Sequence, residues 1–103
     1  MIIYNVTTNI DDTVHEQWLK WMQEQHIPEI LATGLFSTAR LSRVMVDEEM
    51  GGTTYSVQYT AENREALQRY YTEHAPLLRE KALRLFADKM IAFRTELEVV
   101  SDH

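Results

Sequence analysis

The sequence from Trp18 to Phe36, WLKWMQEQHIPEILATGLF, decides how the fold of this chain is predicted. Between residues 14 and 26, apolar, aromatic and histidine side chains share one arc of a helical wheel, and charged side chains lie opposite. Two tryptophans one turn apart, Trp18 and Trp21, indicate a large apolar surface to cover or a pocket to line. Pro28 disfavours α-helical geometry in the residue before it, so we expect the helix to end or kink there.

The residues that flank this helix predict its limits and a strand before it. Residues 2–10 are rich in β-branched side chains and alternate between apolar and polar, which predicts a β-strand. Thr13 and Glu16 have the spacing of a capping box, so the helix is expected to begin near Thr13. Gly34 is the expected C-terminal cap of a short helical turn that follows Pro28.

The second half of the chain predicts a hairpin, a divided helix and a last strand. Two alternating segments joined by a polar loop with two adjacent glycines indicate a β-hairpin. A long amphipathic region follows, and Pro76 divides it. The predicted strands are residues 2–10, 37–46, 53–60 and 91–100, and the predicted helical regions are residues 13–27 and 62–90.

The order β-α-β-β-α-β is that of the split βαβ, ferredoxin-like arrangement. We therefore predict one α+β domain over residues 1–103, a four-stranded antiparallel sheet with both helices on one face. Alternation then assigns strand residues to the two faces of the sheet. The residues expected under the helices are Tyr4, Val6, Tyr55, Val57, Tyr59, Phe93 and Leu97, and those expected on the bare face are Asn5, Thr7, Ser56, Gln58, Arg94 and Glu96.

The bare face of the predicted sheet indicates a partner. A sheet face without helices must be wet or must meet another surface. Amides, hydroxyls and one Arg with one Glu are too polar for a dry core, so we expect two sheets to meet around a polar interior. The expected assembly is a two-fold homodimer that uses Asn5, Gln58 and Arg94.

Composition excludes several classes of function. The formal net charge of −6 argues against nucleic acid, which needs a basic patch. The cations between Arg79 and Lys89 are interspersed with acidic residues, and we interpret this run as the solvated face of a helix. There is no cysteine, hence no disulfide and no thiol nucleophile. No apolar run approaches a membrane span, and the start of the chain does not read as a signal peptide, so a cytoplasmic protein without membrane partners is expected. The four histidines show no metal-ligand spacing, and we expect neither a metal ion nor a cofactor.

Four motifs together carry a resemblance that spans nearly the whole chain. They are Trp18-x-x-Trp21-Met22, His26-Ile27-Pro28, Thr33-Gly34-Leu35-Phe36 and Phe93-Arg94-Thr95-Glu96. They resemble a bacterial domain-of-unknown-function family of the dimeric α/β-barrel superfamily. The resemblance implies a homodimer whose two sheets close into a barrel. Superfamily relatives include small monooxygenases, haem-degrading enzymes, lactone isomerases and mutarotases, and many hold a small molecule between helices and sheet.

Two histidines are candidate catalytic residues. His26 could be a general base or a haem ligand at the lip of a cleft, or it could simply satisfy free carbonyls at a helix end. His74 shares a helix face with Tyr70 and could form an acid–base pair with it, or it could be a hydrogen-bonded core residue.

The candidate ligand-binding residues are Trp18, Trp21, Gln25, Tyr70, Arg94 and Glu96. The tryptophans could stack on an aromatic ligand, although plain core packing explains them too. A buried amide at Gln25 beside them would need a partner, which favours a pocket. Arg94 and Glu96 could bind a carboxylate or phosphate, with the guanidinium as the fork, and the competing explanation is an ion pair across the dimer interior.

Two hypotheses about function follow from these residues. The first is a cofactor-independent enzyme of monooxygenase or isomerase type, with His26 or His74 as its base. The second is a non-catalytic dimeric module that binds a ligand in the same cleft or serves only in dimerisation. Haem binding is a narrower form of either hypothesis. The expected ligand site is the cleft between the first helix, the second helical region and the sheet.

Overall fold

The computed structural model describes residues 1–46, 49 and 51–103, and the predicted loop at 47–52 lies partly outside the described residues. The observed architecture is the predicted one, a four-stranded antiparallel sheet with helices on one face. The strands are β1 (Ile2–Ile10), β2 (Thr38–Arg43), β3 (Thr53–Ala61) and β4 (Met90–Glu98), and the α-helices are α1 (His15–Trp21), α2 (Ile27–Ala32), α3 (Arg64–Glu73) and α4 (Ala75–Phe86).

The strand order β2-β3-β1-β4 places β1 in the centre of the sheet, hydrogen-bonded to β3 and β4. In the register of β1 with β3, Tyr4 lies opposite Tyr59 and Val6 lies opposite Val57. Residues directly opposite in an antiparallel pair share a face, so these four side chains form the floor beneath the helices. They are the residues that alternation predicted for that position.

The prediction for β4 was wrong, because the register places its residues on the opposite faces. Arg94 lies opposite Val6 and Glu96 lies opposite Tyr4, so both charged side chains are on the helix face. Phe93 is then on the bare face. Alternation shows which residues of a strand share a face, but it does not show which face the helices cover. On this edge strand the more apolar row is the one that the helices leave uncovered.

The bare face is therefore less polar than predicted. Ile91, Phe93 and Leu97 are exposed apolar side chains on this face, and Phe93 is 62% exposed. Beside them, the Ser56 hydroxyl donates a hydrogen bond of 2.6 Å to Asn5 Oδ1. The face combines an apolar strip on β4 with a polar strip on β1 and β3.

The first helix continues through Pro28 instead of ending before it. A π-helical turn over Met22–His26 follows α1 directly, and α2 begins at Ile27 with Pro28 in its first turn. Within this turn the Ile27 amide donates to the Met22 carbonyl, five residues back. Proline lacks an amide donor and its ring clashes with the carbonyl four residues back, so a wider turn accommodates it without breaking the helix.

The start of this helix is also capped differently from the prediction. A 3₁₀ turn over Asp12–Val14 precedes α1, and Asp11 is its N-cap. The Asp11 carboxylate accepts hydrogen bonds from the Thr13 amide at 2.9 Å and from the Thr13 hydroxyl at 2.6 Å. The Thr13 hydroxyl thus donates to Asp11 and does not form the capping box expected with Glu16.

The core lies between the helices and the sheet and is rich in aromatic rings. Tyr4 has ring contacts with Phe36, Tyr59, Tyr70 and Tyr71 at centroid distances of 5.6–6.0 Å. Tyrosine hydroxyls need partners when they are buried, so an aromatic core of this kind brings polar groups into the interior. Among the described residues, no helix has the length and apolar character needed to cross a membrane.

Candidate functional site

The first helical segment consists of α1, the π turn and α2, residues 15–32. A cavity of about 50 Å³ lies between this segment, α4 and the sheet. That space holds several water molecules or a small ligand, and it is much smaller than the sites of drug-sized compounds. The helices contribute its apolar walls. Its lining includes Val6, Met22, Ile30, Leu78, Ala82 and Ala92 as apolar residues, and Tyr4, Trp18, His26, Tyr59, Tyr70, Arg79 and Arg94 as residues with polar atoms.

Two arginines converge on one tyrosine hydroxyl beside this cavity. Arg79 on α4 donates from Nη2 to Tyr4 Oη at 3.1 Å, and Arg94 on β4 donates from Nε to the same oxygen at 3.0 Å. Tyr4 is only 2% exposed. The Arg79 guanidinium also lies 5.9 Å from the ring centroid of Tyr71, within the range of a cation–π contact.

Neither arginine has a carboxylate partner in the described part of the chain. Arg94 and Glu96 do not pair within the chain, and both lie on the helix face rather than on the face where an ion pair across the dimer interior was considered. Glu96 instead accepts a hydrogen bond from the Tyr71 hydroxyl at 2.6 Å and pairs with Arg64 at 3.3 Å. Two guanidiniums therefore share one hydroxyl oxygen in a protein whose formal net charge is −6.

The π turn sets the position of His26. Its imidazole stacks on the Trp21 indole with ring centroids 4.4 Å apart. Burial, against the opposing effect of Glu29 and with smaller contributions from Arg94 and Lys81, lowers the pKa of His26 to about 4. Lys81 and Glu29 form a salt bridge with each other at 3.0 Å. His26 is therefore a neutral imidazole at pH 7, with one ring nitrogen that accepts a hydrogen bond and one that donates.

Three buried polar atoms around this cavity have no hydrogen-bond partner among the described residues. They are Trp18 Nε1, His26 Nδ1 and Arg79 Nε. All three residues line the same cavity. Buried polar groups in folded proteins are nearly always paired, and an unpaired group commonly marks a water, an ion or a functional site. Their convergence indicates that the cavity holds water or a ligand that supplies the missing partners.

Tyr59, Tyr70 and Tyr71 are neutral hydroxyls at pH 7. Burial raises the pKa of Tyr59 and of Tyr70 well above the ordinary value, and the pKa of Tyr71 is raised by burial and by its hydrogen bond to Glu96. At neutral pH these side chains can donate or accept hydrogen bonds, and they are not phenolate bases.

The structure brings together some of the predicted site residues and separates others. Trp18, Trp21, His26, Tyr70 and Arg94 all line the cavity. Glu96 lies on the same sheet face but outside the cavity, where it binds Tyr71 and Arg64. The structure thus adds Arg94 to the residues predicted to line this cleft, because Arg94 was expected on the other face of the sheet.

Gln25 and His74 do not lie where they were predicted. Gln25 is exposed, because the π turn places His26 rather than Gln25 one turn after Trp21. His74 stands between α3 and α4, half-buried, with its ring 6.5 Å from that of Tyr70. It is outside the cavity, since α3 ends before it and the arc of a continuous helix no longer applies.

Sequence reasoning did not identify Tyr4 and Arg79 as site residues. Arg79 was taken as part of the solvated basic run on α4. Its position on the helical wheel lies beside Ala82 and Phe86, which are both buried, and this is the signal that distinguishes it from the exposed cations of α4. Tyr4 was predicted as a core residue, and no pattern in the sequence shows which hydroxyl two arginines will share.

Residues 1–100 match the family model of a domain of unknown function, DUF4286. The chain belongs to this family. No curated protein has significant sequence similarity to it. Family membership confirms the resemblance drawn from the sequence motifs, and the family's description assigns no activity.

Solved structures of the same fold cover nearly the whole chain. A variant of MhuD with two manganese protoporphyrin IX molecules bound per active site is 19% identical, with a TM-score of 0.72, over 100% of this chain and 98% of that one. A dimeric ferredoxin-like protein from an uncultured marine organism is 16% identical, with a TM-score of 0.70, over 100% and 98% of the two chains.

A third similar structure is a variant of SnoaB, a cofactor-independent oxygenase from Streptomyces nogalater. It is 11% identical, with a TM-score of 0.67, over 98% of this chain and 94% of that one. At these identities the comparison establishes the ferredoxin-like fold of this DUF4286 protein, and activity has to be argued from its own residues.

Proposed function

We propose that this DUF4286 protein binds a small molecule in the cavity between the first helical segment, α4 and the sheet. The observation that carries the proposal is the convergence of three unpartnered buried polar atoms, from Trp18, His26 and Arg79, on one cavity. A purely structural core would bury such atoms only with partners, because each unpaired group costs about 1–3 kcal/mol.

Binding is favoured over acid–base catalysis by the state of His26. A general base works best when its pKa lies near the operating pH. The pKa of His26 is lowered to about 4, so its imidazole accepts a hydrogen bond at pH 7 but attracts a proton only weakly. The alternative of a cofactor-independent oxygenase or isomerase rests on the similarity to SnoaB, and it requires a bound anion to raise the pKa of His26.

Haem is a poor fit to this cavity. A volume of about 50 Å³ is far below what a porphyrin occupies, and the first helical segment would have to move to admit one. The similarity to MhuD therefore supports the fold of the site more than the identity of its ligand.

Native mass spectrometry of the protein purified from its own host tests the proposal. The wild-type protein is expected to carry a small adduct, and Ala82→Leu is expected to lose it, because Ala82 is buried and lines the cavity. Ala32→Leu, at an exposed position of α2, is the matched control and should keep the adduct. An adduct-free wild-type protein, or an adduct equally abundant in Ala82→Leu, would contradict the proposal.

We also propose that the protein is a homodimer that buries the bare face of the sheet. The exposed apolar strip of Ile91, Phe93 and Leu97 supports this, since soluble monomers rarely leave such side chains together in water. A similar structure is described as a dimeric ferredoxin-like protein. Asn5 and Gln58 remain on the proposed interface, and Arg94 does not, because it points to the cavity.

A further inference from the structure

The chemical class of the ligand is best inferred from the two arginines beside the cavity, Arg79 and Arg94. Both guanidiniums donate to Tyr4 Oη, and neither takes part in a salt bridge within the described ranges. Two like charges held close together repel each other unless an anion lies between or beside them. Arginine forks bind carboxylates with two parallel hydrogen bonds, and Arg79 keeps its Nε–H unpaired.

The arginine pair is accessible from two sides. Arg79 and Arg94 line the buried cavity and also a shallow surface depression with Tyr71 and Glu96. An anion can therefore reach the guanidiniums from solvent while the uncharged part of the same molecule enters the cavity. Glu96 does not compete for the pair, because both its carboxylate oxygens are engaged by Arg64 and Tyr71.

The rest of the cavity limits what is attached to the anion. Met22, Ile30 and Leu78 provide apolar walls, and the volume of about 50 Å³ leaves space for a short hydrocarbon chain. Among the described residues that line the cavity there is no lysine and no third arginine to hold a second carboxylate, and the imidazole of His26 is neutral at pH 7. A monoanion thus suits the site better than a dianion.

We propose that the ligand is a short-chain monocarboxylate, held through its carboxylate by Arg79 and Arg94 with its hydrocarbon part against Met22, Ile30 and Leu78. This inference rests on the proposed function, since it assigns a chemical class to the ligand of the same cavity. It goes beyond the proposed function because a neutral ligand of equal size would satisfy that function alone.

Titration of the full chain with butyrate and with butyramide, its neutral analogue of the same shape, tests the inference. Nuclear magnetic resonance signals of the Trp18 indole N–H report occupancy of the cavity. Butyrate is expected to bind at least about tenfold more tightly than butyramide, a difference of about 1.4 kcal/mol. Equal affinity for the two compounds, or binding of neither, would overturn the carboxylate inference, whereas the proposed function would fall only with an adverse result for the adduct in native mass spectrometry.

Arginine variants separate the anion site from general effects of charge. Arg79→Met and Arg94→Met should each weaken the binding of butyrate more than that of butyramide, so that the preference for butyrate is lost. Arg69→Met is the control, because Arg69 pairs with Glu73 on the exposed side of α3. If an arginine variant fails to fold, Arg79→Lys, which keeps the charge but loses the fork, should still weaken butyrate binding. A preference for butyrate that survives in Arg79→Met, Arg94→Met and Arg79→Lys would overturn the inference.

Discussion

His26 stacks on Trp21, five residues before it, because the helix between them contains a π turn. In an uninterrupted α-helix the residues three and four positions after Trp21 would share its face. The extra residue in this turn moves Gln25 out to solvent and brings His26 over the indole. Pro28, which the sequence indicates as a helix breaker, is the physical reason for the wider turn. The π turn that accommodates Pro28 thus brings the side chain of His26 to the cavity.

The buried state of His26 predicts a loss of stability in mild acid. Its pKa is lowered from 6.5 to about 4 on folding. Between these two pH values the imidazole binds a proton in the unfolded chain but not in the folded protein. Stability is therefore lost as the pH falls from 6.5 towards 4. This one group should remove about 2 kcal/mol between pH 7 and pH 5.

Urea unfolding of the wild type and of His26→Phe at pH 7 and pH 5 measures this contribution. The variant keeps an aromatic ring over Trp21 and lacks the titrating group, so its stability should fall less between the two pH values. An equal fall in both proteins would show that His26 is not the group responsible.

The two tryptophans should differ in their contribution to stability. Trp18 is 1% exposed and belongs to the core, so Trp18→Ala should cost about 3–5 kcal/mol. Trp21 is half-buried and lines the cavity with His26 stacked on it, so Trp21→Ala should cost less. Thermal melts of both variants give the comparison, and equal, severe destabilisation would argue against an open cavity at Trp21.

The shared hydroxyl of Tyr4 predicts a specific effect of removing one oxygen atom. Tyr4→Phe leaves two guanidinium donors without their acceptor, and we expect a cost of about 1–3 kcal/mol. Tyr55→Phe, which removes a hydroxyl hydrogen-bonded to His15 at 2.6 Å, is the matched control and should cost less, because it removes the partner of one imidazole rather than of two guanidiniums. Chemical denaturation at neutral pH decides between the two, and a smaller effect for Tyr4→Phe would contradict the role assigned to it.

The exposed apolar strip of β4 predicts which substitution makes the protein monomeric. Phe93→Glu should dissociate the dimer, because it places a charge in the centre of the proposed interface. Leu83→Glu changes a side chain of similar exposure, 59% against 62%, on α4 and should leave the dimer intact. Sedimentation at micromolar concentration distinguishes the two states, and a wild-type monomer under these conditions would refute the assembly.

Much of the candidate site was within reach of the sequence, and the reason is periodicity. Trp18, Trp21 and Tyr70 lie on apolar arcs of helices that cover one sheet face, so their presence in the space between helices and sheet followed from pattern alone. The positions of Gln25 and His74 were wrong where local helix geometry departs from the regular 3.6-residue repeat. Arg79 was missed because a cation in a basic run was read as solvated.

The sequence by itself determined the element order, the antiparallel sheet, the helix face of β1 and β3 and membership of a family of domains of unknown function. Alternation and amphipathic spacing are local properties, so they can be identified directly in the sequence. Only the tertiary structure decided that β4 turns Arg94 towards Tyr4 and leaves Phe93 bare, because strand register is set by pairing with a neighbour 80 or more residues away. The same long-range pairing brings Arg94 to Arg79 and creates the charge arrangement from which the ligand is inferred.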